Sequence, residues 1–255
     1  MQKNNTFIIT AAGGNATAIE LLESGLNREN YAHRGTKLMS ETEKYGVEQC
    51  GFLITSNNHF EMSGGEFCGN AARSAAILLY QIKGKSDFEF TMSGFPSPIQ
   101  ATVKATAANK YDVTCVFPNL KTQTTVVQAL GKEAILVDLG GIVHVVIESE
   151  FPVDNYESQH RQITEDLNLT SRDAVGVCWI NSKDDVVTMH PVVWVRDINS
   201  FFYEGSCGSG TIAVGKVTNV NSVVQPTGQT INVTFNSNAV HLHSSMEVTH
   251  EYVRH

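Results

Sequence analysis

FCGNAARSAAILLYQIKG, residues 67–84, and SCGSGTIAVGKV, residues 206–217, decide how this chain is read. Both open on Cys-Gly and a small polar residue, then run on in Ala, Ile, Leu, Val and Thr. In the first, Ala71, Ala75, Leu78, Leu79 and Ile82 fall on one face at helical spacing. Gly84 stands where a left-handed residue ends a helix. The spacing predicts a buried helix that starts at Cys68. The second run carries Gly210, Thr211 and Val214, weaker helix formers, and is read as a helix on the strength of the echo. One such element in each half of a 255-residue chain suggests an internal repeat.

Outward from these two elements the chain is β-rich. Residues 7–10, 52–55, 88–92, 112–117, 143–147, 175–180, 192–195 and 231–235 are dense in β-branched and aromatic side chains and read as strands. Residues 16–22 satisfy helix propensity and strand alternation alike. A polar helix is expected over residues 29–43, stopping near Gly46, and a shorter one over 154–167. The polar stretch 118–125 is the best place for a boundary. Hydrophobic residues at 42% and charged residues at 17% exclude disorder. No apolar run reaches the roughly 20 residues of a membrane span, and the first residues lack the apolar core of a signal peptide. A net charge of -8 argues against a nucleic-acid partner. Five cysteines, an odd number without a CxxC pair, point to free thiols in a reducing, cytoplasmic compartment.

A cysteine just before a helix has its thiolate stabilised by the helix dipole, which draws its pKa from about 8.5 toward neutrality. The first backbone N–H groups of such a helix bind anions. Two such elements facing each other would grip a carboxylate and set its neighbouring Cα between two sulfurs. Stereoinversion needs that arrangement: one base takes the Cα proton and an acid on the other face returns one. The bland alternative is two small buried cysteines at helix starts. Other readings fit less well. Cys68 to Arg73 is one residue too short for a cysteine-phosphatase loop, and the GGNATAIE stretch from Gly13 lacks a P-loop lysine. Cys50, Cys115 and Cys178 are isolated core thiols, not metal ligands. His241, His243, His250 and His255 alternate along strand-like sequence at solvated or edge positions, so no metal site is expected.

Cys68-Gly-Asn-Ala-Ala-Arg and Ser206-Cys-Gly-Ser-Gly resemble the two signatures of the diaminopimelate epimerase family. Gly13-Gly14-Asn15, Glu48-Gln49, His144 in GIVHVV and Pro226-Thr227-Gly228 extend the likeness over most of the chain. The resemblance implies an α/β (α+β) fold of two pseudo-symmetric domains, each an antiparallel sheet wrapped around a central helix. On that reading residues 1–119 with 241–255 carry Cys68, and residues 120–240 carry Cys207. It also implies a homodimer and cofactor-independent, pyridoxal-free inversion. The polar residues with which those epimerases hold the distal end of their substrate are missing: Ile142, Ile198 and Asn199 stand at such positions, and a further one falls near Cys178.

The chain is more similar to the cofactor-independent histidine racemases of staphylopine-type metallophore pathways, through MSGGEFCGNA from Met62 and DINSFFYEGSCGSG from Asp197. That resemblance implies inversion of L-histidine to D-histidine with Cys68 and Cys207 as the two acid/base thiols. Gly69, Asn70, Gly208 and Ser209 would hold the α-carboxylate, and Asn15 and Gln49 would contact the amino-acid backbone. Glu48 is the candidate partner for the imidazole, with Glu204 or His144 as second choices. The small-molecule partner would be an amino acid. The competing readings are an epimerase of diaminopimelate or another amino acid, and a non-catalytic ligand-binding or thiol-redox protein on the same fold.

Overall fold

The computed structural model describes residues 5–253. Strand β1 (Asn5–Ala11) turns through Ala12 and Gly13, both at positive φ, into β2 (Gly14–Leu22). The ambiguous segment 16–22 is therefore a strand: it pairs antiparallel with β1 and parallel with β3 (Val47–Ile54). The crossover between β2 and β3 is helix α1 (Arg28–Thr42), opened by Asn27, whose side chain accepts from the Asn30 N–H. It runs into a short 3-10 turn that Gly46 closes in the left-handed region. Strand β4 (His59–Met62) pairs antiparallel with β3. Helix α2 (Gly69–Lys83) follows, and then β5 (Asp87–Met92), parallel to β4. Strands β6 (Phe95–Ala107) and β7 (Lys110–Pro118) complete an antiparallel meander.

The second half repeats much of this order. After the hairpin of β8 (Gln123–Ala129) and β9 (Lys132–Asp138) comes β10 (Val143–Glu148). Helix α3 (Tyr156–Asp166) carries the chain to β11 (Ala174–Lys183), parallel to β10. Strand β12 (Val186–Val195) folds back on β11, and the short β13 (Ser200–Tyr203) folds back on β12. Helix α4 (Gly208–Thr218) leads to β14 (Ser222–Val224), parallel to β12, and β15 (Thr230–Phe235) is antiparallel to β14. The last strand, β16 (Ala239–Val253), pairs with β15, β7 and β1 at once. Its pairing with β1 closes β1–β7 and β16 into an eight-strand barrel within a mixed α/β fold.

Both echoed helices form. Residues 69–79 of α2 are buried on every side, so the Ala-rich sequence serves a whole circumference and not one face. Ile82, expected on the buried face, is 51% exposed because the last turn of α2 emerges from the core. In α4 weak propensity is offset by close packing: a Cβ on Gly215 would sit 2.5 Å from Val233. Cys50, Cys115 and Cys178 are buried thiols. His241, His243 and His250 lie half-exposed or exposed along β16, and His255 lies outside the described residues. No helix among the described residues is long and apolar enough to cross a membrane.

Candidate active site

Cys68 and Cys207 are the N-caps of α2 and α4. Their backbones are extended (φ -136 and -138), and their sulfurs accept the N–H groups of Ala71 at 3.4 Å and Gly210 at 3.2 Å. The helices meet at their first residues. A Cβ on Gly69 would lie 3.3 Å from the carbonyl carbon of Gly208, and one on Gly208 would lie 2.9 Å from Asn70 Oδ1. Glycine at both positions lets two helix N-termini converge. Asn70 donates to the Ser206 carbonyl at 3.0 Å, and the Ser206 hydroxyl donates to the Ala11 carbonyl at 2.6 Å. Gln225 accepts the Cys207 N–H at 2.9 Å. Arg73, fully buried, donates to Asn70 Oδ1, to Ser244 and to the Gly69 carbonyl. Burial draws its pKa down to about 10, so it remains a cation at neutral pH, within electrostatic reach of both cysteines.

Both cysteines line one narrow cavity of about 20 Å³, room for a single water molecule. Cys68 donates its S–H to Gln49 Oε1 at 3.1 Å. Cys207 is paired with the Glu204 carboxylate, and its sulfur lies 3.6 Å from Ser209 Oγ. The expectation of thiol pKa values drawn toward neutrality is overturned. Burial, seconded by the Glu204 carboxylate, pushes Cys68 up to about 12 and Cys207 well above its ordinary value. The helix N–H groups work in the opposite direction and are outweighed. At neutral pH both groups are thiols.

Three carboxylates share this cavity: Glu48, Glu66 and Glu204. Burial raises Glu48 and Glu66 to about 7 and Glu204 to about 8. Glu48 accepts the Asn15 N–H at 3.2 Å, and Glu204 is influenced by Glu48, Cys207 and Asn15, so these groups form one neighbourhood. Gln49, Asn70, Gly208 and Ser209 line the cavity, whereas Asn15, Gly69 and His144 stand behind its wall. Asn15 accepts from Gln49 and so orients the residue that holds Cys68. His144 is fully buried, with Nε2 at 2.9 Å from Ser209 Oγ and Nδ1 at 3.6 Å from Cys178. Burial, with His160 nearby, lowers its pKa to about 3, so the ring is neutral. Ile142, Val193, Val195, Ile198 and Phe202 supply an apolar wall. Glu66, Arg73 and Phe202 were absent from the sequence-level candidates. Each lies inside a quoted match, Arg73 in Cys-Gly-Asn-Ala-Ala-Arg, Glu66 in MSGGEFCGNA and Phe202 in DINSFFYEGSCGSG, although no local hydrophobic period announces their burial.

Two proton-carrying sulfurs, a pair of helix N-termini and a cluster of carboxyl groups suit a small zwitterion. Among the described residues no group of three His, Cys, Asp or Glu could hold a metal ion. A family model described as histidine racemase CntK N-terminal domain matches residues 6–250. A histidine racemase of Fusobacterium nucleatum subsp. nucleatum (strain ATCC 23726 / VPI 4351) is 32% identical over 215 residues, 78% of each protein. Another from Staphylococcus aureus (strain Mu50 / ATCC 700699) is 26% identical over 220 residues, 81% of this chain and 77% of that one. Among solved structures, a predicted epimerase from Pseudomonas aeruginosa superposes with a TM-score of 0.64 at 10% identity over 98% of both chains. A phenazine biosynthesis protein of the PhzF family from Bacillus anthracis gives 0.62 at 13% identity over the whole of both. At such identities the likeness concerns the fold alone.

Proposed function

The chain belongs to the histidine racemase family and is an isomerase, and from that premise we propose that it interconverts L- and D-histidine with Cys68 and Cys207 as its two acid/base groups. The observation that carries this reading is the pair of cysteine caps on abutting helices, opening on one cavity. The substrate carboxylate binds the first N–H groups of α2 and α4, at Gly69, Asn70, Gly208 and Ser209. Its α-ammonium lies toward Glu204 and Glu48. That positive charge offsets the burial and the Glu204 influence that hold both thiols up, so one cysteine releases its proton to solvent as substrate enters. The thiolate then takes the Cα proton, and the electron pair left on Cα spreads into the carboxylate. There the helix amides stabilise it, each such donor being worth about 10²–10³ in rate. The opposite S–H delivers its proton to the other face and becomes the thiolate.

This chemistry takes one thiol from each half, and we divide the chain accordingly into residues 1–119 with 241–255, and residues 120–240. A distal carboxylate such as that of diaminopimelate would face Glu48, Glu66 and Glu204 and an apolar wall, which disfavours it. The test is Cα proton exchange and loss of optical rotation in D₂O, with L-histidine and with diaminopimelate. Histidine alone should exchange, and Cys68→Ser and Cys207→Ser should each slow its racemisation by about 10²–10⁴-fold with the fold intact. Exchange with diaminopimelate alone, or full racemisation by both variants, would overturn the reading.

A further inference from the structure

Glu66 precedes Cys68 by two residues and is 4% exposed, yet its Oε2 has no hydrogen-bond partner among the described residues. Its carboxylate receives a hydrogen bond from its own backbone N–H, and its carbonyl accepts from Ser93. A buried, unsatisfied acceptor costs about 1–3 kcal/mol, more when charged. The fold nonetheless builds closely around it. A Cβ on Gly64 would lie 2.5 Å from Glu66 Oε2, and one on Gly94, which sits at φ +69, would strike the backbone of Glu66 and Phe67. The carboxylate is thus held in a fixed place on the cavity wall, alongside Val195, Ile198 and Phe202.

Its surroundings differ from those of the other two acids. Glu204 feels Glu48, and both bond into the Asn15 neighbourhood, Glu204 next to Cys207. Glu66 acts on Glu204 and Cys68, and it alone of the three also feels Arg28, Glu61 and Asp197. A ligand group that satisfies this free acceptor among the apolar lining residues carries an N–H.

We propose that Glu66 is the specificity-determining residue of this enzyme, its free Oε2 accepting the imidazole N–H of bound histidine while the ring lies against Ile198 and Phe202. This rests on the histidine reading above. A site built to accept an N–H rejects the isostere that lacks it far more strongly than an apolar pocket does. The probe is 3-(2-thienyl)alanine, whose ring matches imidazole in size and has no N–H.

Cα proton exchange in D₂O with the two amino acids gives kcat/KM for each. Wild-type enzyme should favour histidine by at least about 10²-fold. In Glu66→Leu the preference should fall to within about threefold through loss of histidine turnover, largely in KM, and Glu66→Gln should lie between. Thermal unfolding checks that each variant is folded. A preference unchanged in Glu66→Leu, or an equal fall for both amino acids, would overturn the proposal. If Glu66→Leu does not fold, an unchanged preference in Glu66→Gln overturns it, and a reduced one supports it. Wild-type enzyme that exchanges neither amino acid would instead remove the histidine reading itself, before any variant is compared.

Discussion

Glu48 and Glu66 release their protons near pH 7 and Glu204 near pH 8, against an ordinary value of 4.5, chiefly because burial penalises the charge. An acid with a raised folded pKa binds its proton better folded than unfolded. The stability it contributes is present below pH 4.5 and is lost as pH rises through the folded value. His144 and His160, drawn down by burial to about 3 and 4, behave oppositely: their contribution is present above pH 6.5 and is lost as pH falls through those values. The window from pH 6.5 to 8 therefore isolates the carboxylates. The Tm of ligand-free protein should fall across it, and Glu66→Gln should flatten the fall, as calorimetry in a non-binding buffer would measure. A Tm that rises over the window would contradict the burial of these acids. The same residues show what the sequence conceals. The two cysteines were legible because they recur in matching contexts. Glu66 lies inside the MSGGEFCGNA match, yet nothing local announces its burial, which comes from Gly64 and from Gly94, distant in sequence.

Among the elements, β10 and β11 fix the position of His144. They run parallel with His144 beside Gly176, and a Cβ on Gly176 would lie 2.1 Å from His144 Nδ1. Gly176→Ala should push the ring out of line, separate it from Ser209 and destabilise the fold by about 1–3 kcal/mol, the cost of overpacking. Urea unfolding should show that Gly176→Ala combined with His144→Ala costs less than the two single changes added together, since the clash disappears with the ring. Strict additivity would mean that the ring and the glycine do not constrain each other. Strands such as β10 and β11 were legible from runs of Val and Ile. The hairpin of β8 and β9 and the short β13 and β14 were not, because exposed Thr and Gln or three-residue lengths leave no hydrophobic period to read. In residues 16–22 long-range pairing with β1 and β3 settled what local propensity left open.

At the scale of the molecule, β16 carries the architecture. Residues 246–253 pair with β1, earlier residues pair with β15, and β7 runs alongside residues 239–247. A chain ending at residue 245 loses the partner of β1, and with it barrel closure. It should show no cooperative unfolding transition and no near-ultraviolet dichroism; a retained sharp transition would mean that the barrel holds without the β1–β16 pairing. The raised pair of thiols has a kinetic consequence of its own. On the two-thiol chemistry each turnover leaves the hydrogen on the opposite sulfur from where it began. Because both sulfurs hold a proton again once product has left, the ligand-free enzyme keeps no memory of the enantiomer it last released, and one resting form meets L- and D-histidine alike.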